Sequence, residues 1–285
     1  MDSRLWLLLI NGAVSPSLLA LKSPGRQVQG ILRRLVAGVA RDIDGLPERM
    51  ADRVHDIRVR MKKFRAVLRL AERGLKSPEF AKSDKLARRL KDHFGSVRDE
   101  DVQTELLLDL LDKKEALETA AVLEPPSADA GREPDLASAR ETCSALAALV
   151  DAWKLDDLAS EDLAEAWVAS YRNSRRGRRA CVKDPDDDFL FHEWRKRVKA
   201  FLYQSSAIGA PLDAFVPRAT KLASELGSHH DLAILTGRLA RALAGSKAER
   251  AALAKKKAVA RRALATGRKL LAKKPSRIRR KAGLP

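Results

Sequence analysis

Apolar side chains return every three or four residues along most of this chain. Val28, Ile31, Leu32, Leu35, Val36 and Val39 form one such series, Ile57, Met61, Phe64 and Leu68 another, and Leu106, Leu107, Leu110 and Leu111 a third. That is the period of an amphipathic helix, and no stretch alternates for the length of a strand. Turn signals interrupt the series at Gly45-Leu46-Pro47, Ser77-Pro78, Gly95-Ser96, Gly209-Ala210-Pro211 and Gly227-Ser228. Together they predict helices over roughly 25–44, 48–74, 78–94, 99–122, 135–153, 159–180, 186–208, 212–226, 230–245 and 247–273. The expected fold class is all-α.

The clearest loss of periodicity is Glu124 to Pro134, a stretch with Pro, Gly and Ser that reads as a linker. The expected organisation is an N-terminal extension (1–24), a first helical repeat (25–123), the linker (124–134), a second repeat (135–275) and a basic tail (276–285). The two halves share a motif. His55, Arg58, Arg60, Lys62 and Phe64 recur 137 positions later as His192, Arg195, Arg197, Lys199 and Phe201, with an acid after each histidine. Gly95, Val97, Arg98 and Asp99 follow the first copy, and Gly227 and Asp231 the second.

At about 100° per residue, His55, Arg58, Lys62, Arg65 and Arg69 lie on one narrow stripe, opposite Ile57, Met61, Phe64 and Leu68. His192, Arg195, Lys199 and Tyr203 form the matching stripe, opposite Trp194, Val198 and Phe201. Like charges one turn apart repel, and an anion relieves that repulsion. The Gly-centred motifs read first as helix ends, with Gly95 and Gly227 terminating one helix and Asp99 and Asp231 capping the next. A phosphate is also favoured at such an N-terminus, within reach of Arg98 or of His229 and His230. Asp187 and Asp188 read as caps for the His192 helix.

Charge sharpens the expectation of an anionic partner. The 285 residues carry 56 Lys/Arg against 38 Asp/Glu, a net +18, and residues 247–285 supply 15 of those cations against Glu249 alone. No apolar run approaches the roughly 20 residues of a membrane span. Leu5 to Ile10 imitates a signal peptide only faintly, with Asp2 before it and no small-x-small cleavage site after it, so a cytoplasmic protein is expected. Two cysteines, Cys143 and Cys181, exclude a disulfide framework and a Cys-rich zinc site.

These residues resemble a known family. His55-x-x-Arg58-Val-x-x-Lys62-Lys63-x-Arg65, Gly95-x-Val97-Arg98-Asp99, His192-x-x-Arg195-Lys196-x-x-Lys199-x-x-x-Tyr203 and Leu226-Gly227-x-x-x-Asp231, in that order, are similar to the CHAD domain, the conserved histidine α-helical domain. The likeness spans roughly residues 25–275. It implies two four-helix bundles related by pseudo-twofold symmetry around a basic cleft that binds inorganic polyphosphate. Carried over by position, the ligands are His55, Arg58, Lys62, Lys63 and Arg65, then His192, Arg195, Lys196, Lys199 and Tyr203, with Arg98 assisting. Leu202 stands where the family commonly has Arg, and Lys62 and Lys63 where Arg is common.

Catalysis has little support in the residues. There is no P-loop, dinucleotide fingerprint or G-x-S-x-G, and no cofactor is expected. A metal between His55 and His192 is disfavoured by the Arg and Lys around each. The expected function is non-catalytic polyphosphate binding, with a location on polyphosphate granules. The alternative is nonspecific nucleic-acid binding by the same cleft and the basic C-terminal segment, which is weakened by the scarcity of aromatic platforms.

Overall fold

The computed structural model describes residues 18, 23–46, 48–94, 99–123, 135–209, 212–281 and 284. Among them every regular element is helical: α1 (Pro24–Asp44), α2 (Met50–Leu68), α3 (Ser77–Asp92), α4 (Asp99–Leu108), α5 (Lys113–Val122), α6 (Leu136–Ala152), α7 (Ser160–Lys183), α8 (Asp188–Ile208), α9 (Val216–Ala242), α10 (Lys247–Leu270) and α11 (Pro275–Lys281), with 3-10 turns at Glu72–Gly74 and Leu212–Phe215. The apolar run Leu5 to Ile10 lies outside the described residues. No described helix is long and apolar enough to cross a membrane.

Local chemistry sets several starts. Asp112, Asp135 and Ser246 accept a backbone N–H from the first turn of α5, α6 and α10, and Asp187 accepts from both Phe189 and Leu190 at the start of α8. Asp187 is thus the cap expected of it. Asp188 is not; its carboxylate turns toward Lys256, 2.8 Å away. α8 stops at Gly209, whose φ of 73° is a conformation that suits glycine.

Packing closes two rings of four helices. α1, α2, α3 and α6 form the first, and α7, α8, α9 and α10 the second. The stretch 135–153, grouped with the second repeat from sequence, therefore packs with the first bundle, against α1 and α3. One continuous core joins the rings, from Val28, Ile57 and Phe64 to Trp167, Trp194 and Phe201. The rings meet where α2 packs on α8, and Gln204 of α8 donates to the Ala66 carbonyl of α2 at 2.9 Å.

Three expectations change. The predicted helix 99–122 is a hairpin of α4 and α5, because Asp112 caps a new helix and Leu107, Ala116 and Leu123 fold together onto Leu235 and Ala252. The predicted break at Gly227-Ser228 is absent. α9 runs through it, with Leu222, Leu226, His229 and Leu232 buried along one face; that burial outweighs the roughly 1 kcal/mol a mid-helix glycine costs. Asp231 is accordingly mid-helix and caps nothing. Of the expected tail, Pro275–Lys281 form α11, which docks on α7 with Ile278 buried.

Candidate functional site

The α2–α8 contact brings the repeated motif together. Ile57, Met61 and Phe64 of α2 and Trp194, Val198 and Phe201 of α8 are fully buried, as their stripes predict. Trp194 sets the seating of α8: a Cβ on Gly177 of α7 would lie 2.7 Å from its Cδ1, and one on Gly267 of α10 2.6 Å from its Cζ2. Only glycine at both positions lets the indole enter this slot. The opposite face of α8, with Arg195 and Lys199, is left toward α2.

There the cations crowd one another. Lys62 is lowered to about 8 by burial first and then by Arg58, Arg195 and Lys91. Lys199 is lowered to about 8 by burial, Arg195 and Lys62, with Asp231 opposing. Among the described residues, Lys62, Lys199 and Arg195 form no ion pair. Arg58 spends one guanidinium nitrogen on the Phe94 carbonyl at 2.6 Å. The Nε of Arg195 is buried without a hydrogen-bond partner. A buried guanidinium N–H with nothing to bond is costly, and a negatively charged oxygen would satisfy it.

The histidines differ. His192 sits one turn before Arg195, with its Nδ1 3.1 Å from Nδ1 of His230. Burial, then Lys196 and Arg195, hold it below the ordinary imidazole range, which disfavours its charged form. His55 is half-buried one turn before Arg58. His229 does not face the cluster. It stacks on Phe191 at 4.1 Å, is 2% exposed, and burial pushes it down to about 4.

Of the other residues expected at the site, Arg65, Lys63 and Lys196 lie off the cluster. Arg65 is bound to Asp84 at 2.6 Å, and Arg88 holds the same carboxylate. Burial would raise Asp84, but the two arginine hydrogen bonds outweigh it and hold the carboxyl below its usual range. Lys63 is buried near Arg60 and Asp56, and burial lowers it to about 8. Lys196 is exposed and pairs with Glu193 at 2.7 Å. Tyr203 is buried beside Arg195, and burial pushes its hydroxyl up to about 12. Arg98 and Gly95 lie outside the described residues. Lys91 of α3, Asp231 of α9 and the Phe94 carbonyl just past α3 join without the repeat naming them as ligands. A groove of about 390 Å³ lies elsewhere, between α1 and α6, and the Arg33–Asp151 and Arg140–Asp44 pairs neutralise its rim. Its Cys143 thiol is pushed up to about 11 by burial, which suits a core residue and not a nucleophile.

Fold and site thus define a double helical bundle in which cations from both halves meet at the seam without an ion pair among the described residues. The CHAD domain family model matches residues 26–240, and the chain belongs to that family. Among solved structures it is similar to PptA from Streptomyces chartreusis, at 18% identity over 90% of this chain and 98% of that one, with a TM-score of 0.55. It is also similar to the CHAD domain from the plant Ricinus communis, at 18% identity over 96% and 95% of the two chains, with a TM-score of 0.56. No curated protein matches the sequence.

Proposed function

We propose that this protein binds inorganic polyphosphate, without turning it over, in a cleft at the α2–α8 seam. The observation that carries the reading is the convergence of Arg58, Lys62, Arg195 and Lys199, where Arg195 has a buried, unsatisfied Nε. Four cations held at close range in a partly desolvated seam suit a thin, densely charged chain, because the surrounding protein focuses their field. Phosphate oxygens supply the acceptors the guanidinium groups lack. An anion there also favours the charged form of His192, adding a donor on binding. Nucleic acid suits this seam less well: single-strand binders set aromatic platforms among their cations, and Tyr203 is buried. On this reading the protein acts in the cytoplasm, on polyphosphate granules, with no cofactor.

Titration with long-chain polyphosphate tests it. Charge-assisted hydrogen bonds are worth about 1.5–3 kcal/mol each, so changing Arg58, Lys62, Arg195 and Lys199 together to Ala should weaken binding by at least about 100-fold. Circular dichroism should stay helical. Wild-type affinity in that variant would end the proposal, as would phosphate release that vanishes on changing His55 or His192.

A further inference from the structure

The outer side of the second bundle is basic on a scale that the seam does not use. Residues 172–183 of α7 hold six Lys/Arg, residues 255–280 of α10 and α11 hold twelve, and neither segment contains an Asp or Glu. α7 packs against both α10 and α11, so these charges share a surface. Among the described residues only Lys256, 2.8 Å from Asp188, and Arg279, 4.0 Å from Glu165, meet a carboxylate.

The charges are ordered in rows. At about 100° per residue, Arg172, Arg176 and Arg179 fall within about 60° on α7, and Lys257, Arg261 and Arg268 within about 40° on α10; all six are exposed. Two arginines tie the helices together. Arg175 donates its Nε to the Leu271 carbonyl and Arg178 to the Leu264 carbonyl, each at 3.2 Å. Burial, then Arg268, Arg175 and Arg179, hold Arg178 below its ordinary range, consistent with guanidinium groups crowded between the rows. The Arg195 stripe lies on the other side of α8 from Trp194, which fills the slot between α7 and α10.

We propose that the outer face of α7 and α10 is a second, sequence-independent binding surface for double-stranded nucleic acid, separate from the seam. Neighbouring helix axes lie about 8–10 Å apart, so one thin flexible chain neutralises one row at a time and is screened on an open face. A duplex holds two rigid phosphate rows across grooves about 6 and 12 Å wide and lies over both helices at once. Both rows run along helices packed into the bundle, which suits contact with phosphates rather than with base edges. A bilayer surface would favour apolar side chains beside the cations. Those of α10, Val259, Ala263 and Leu270, are buried inward, and Val182 is the one exposed large apolar residue described in these segments.

The inference stands apart from the polyphosphate reading and is tested on the full chain. The probe is a fluorescent duplex of mixed sequence, roughly two turns long; the competitors are long-chain polyphosphate and phosphatidylserine vesicles at matched phosphate concentration. Changing Arg176, Arg179, Arg261 and Arg268 together to Glu should weaken duplex binding at least about 30-fold. It should also flatten the log affinity–log salt slope by about 3. Polyphosphate affinity should stay within about threefold, and the seam variant should show the reverse pattern. The same four positions changed to Gln should give a smaller loss in the same direction, with melting midpoint and helicity retained. Duplex binding lost in the seam variant but kept in the outer one would overturn the inference. So would equal loss of both polyanions from the outer variant, or vesicles that bind this face more tightly than the duplex.

Discussion

On α2, Arg65 is held by Asp84 at 2.6 Å and Arg60 by Asp42 at 2.7 Å. On α8, the matching positions are Leu202, buried in the core, and Arg197, which has no ion pair among the described residues. The cations that match between the copies are His55/His192, Arg58/Arg195, Arg60/Arg197 and Lys62/Lys199, and of these Arg58/Arg195 and Lys62/Lys199 converge at the seam. Residues that break the match, Lys63 against Ala200, Arg65 against Leu202 and Lys196 against Val59, lie off the cluster. On the polyphosphate reading Leu202 is therefore no lost ligand, because its counterpart Arg65 serves the α2–α3 contact. The comparison separates two uses of a basic helix face: Arg60 and Arg65 hold helices together through a carboxylate, and Arg195, with no ion pair among the described residues, is on the polyphosphate reading left for an anion.

The largest effect expected from this contrast is on stability. Asp84, with a side chain 10% exposed, is shared by Arg65 and Arg88. Changing it to Ala strands a partly buried Arg65, and breaking a buried pair costs about 3–5 kcal/mol, discounted to about 2–3 because both arginines reach solvent. Urea denaturation measures this loss, and polyphosphate affinity of the folded fraction should shift by less than about twofold. Lost affinity with unchanged stability would place Arg65 among the ligands.

Next in size is the reverse case, Arg195. Its change to Ala should cost at least about tenfold in polyphosphate affinity, about 1.4 kcal/mol, while the melting midpoint holds or rises. The variant removes an unsatisfied buried N–H and a neighbour that disfavours charge on Lys62 and Lys199. A lower midpoint with unaltered affinity would make Arg195 a structural residue like Arg65.

The smallest effect is the pH response, and it carries opposite signs for stability and binding. Lys62, Lys63 and Lys199 are lowered by burial to about 8 from an ordinary value of 10.5. Between those values the unfolded chain holds protons that the folded protein has shed, so stability of the free protein gains with rising pH. Cys143, Cys181 and Tyr203, raised by burial to about 11, 12 and 12, keep protons that the unfolded chain sheds, so above about pH 9 they oppose that gain. Polyphosphate favours the charged lysines, so the complex takes up protons and its affinity should fall severalfold from pH 7 to pH 9. Calorimetry in buffers of different ionisation enthalpy detects that uptake. Equal affinity at both pH values without proton uptake would remove Lys62 and Lys199 from the site, and changing both to Met should leave only the shallower slope that His192 contributes.

The amino-acid sequence by itself determined the helices, the sides of α2 and α8 that enter the core, the repeat, and the His-Arg-Lys stripe that reaches the seam. These are local matters: a helix's period and its caps act within a few residues, and Asp187 caps α8 whatever packs beside it. The tertiary structure decided everything that depends on partners distant in the chain. It placed α6 in the first bundle, carried α9 through Gly227 because burial outweighed a local break, and docked α11 through Ile278. It diverted Arg65 to Asp84, brought Lys91 and Asp231 beside Lys62 and Lys199, and set the α7 and α10 rows side by side. A stripe shows where charges point along one helix. Whether each meets a carboxylate or another cation is settled only when that helix is packed against its neighbours.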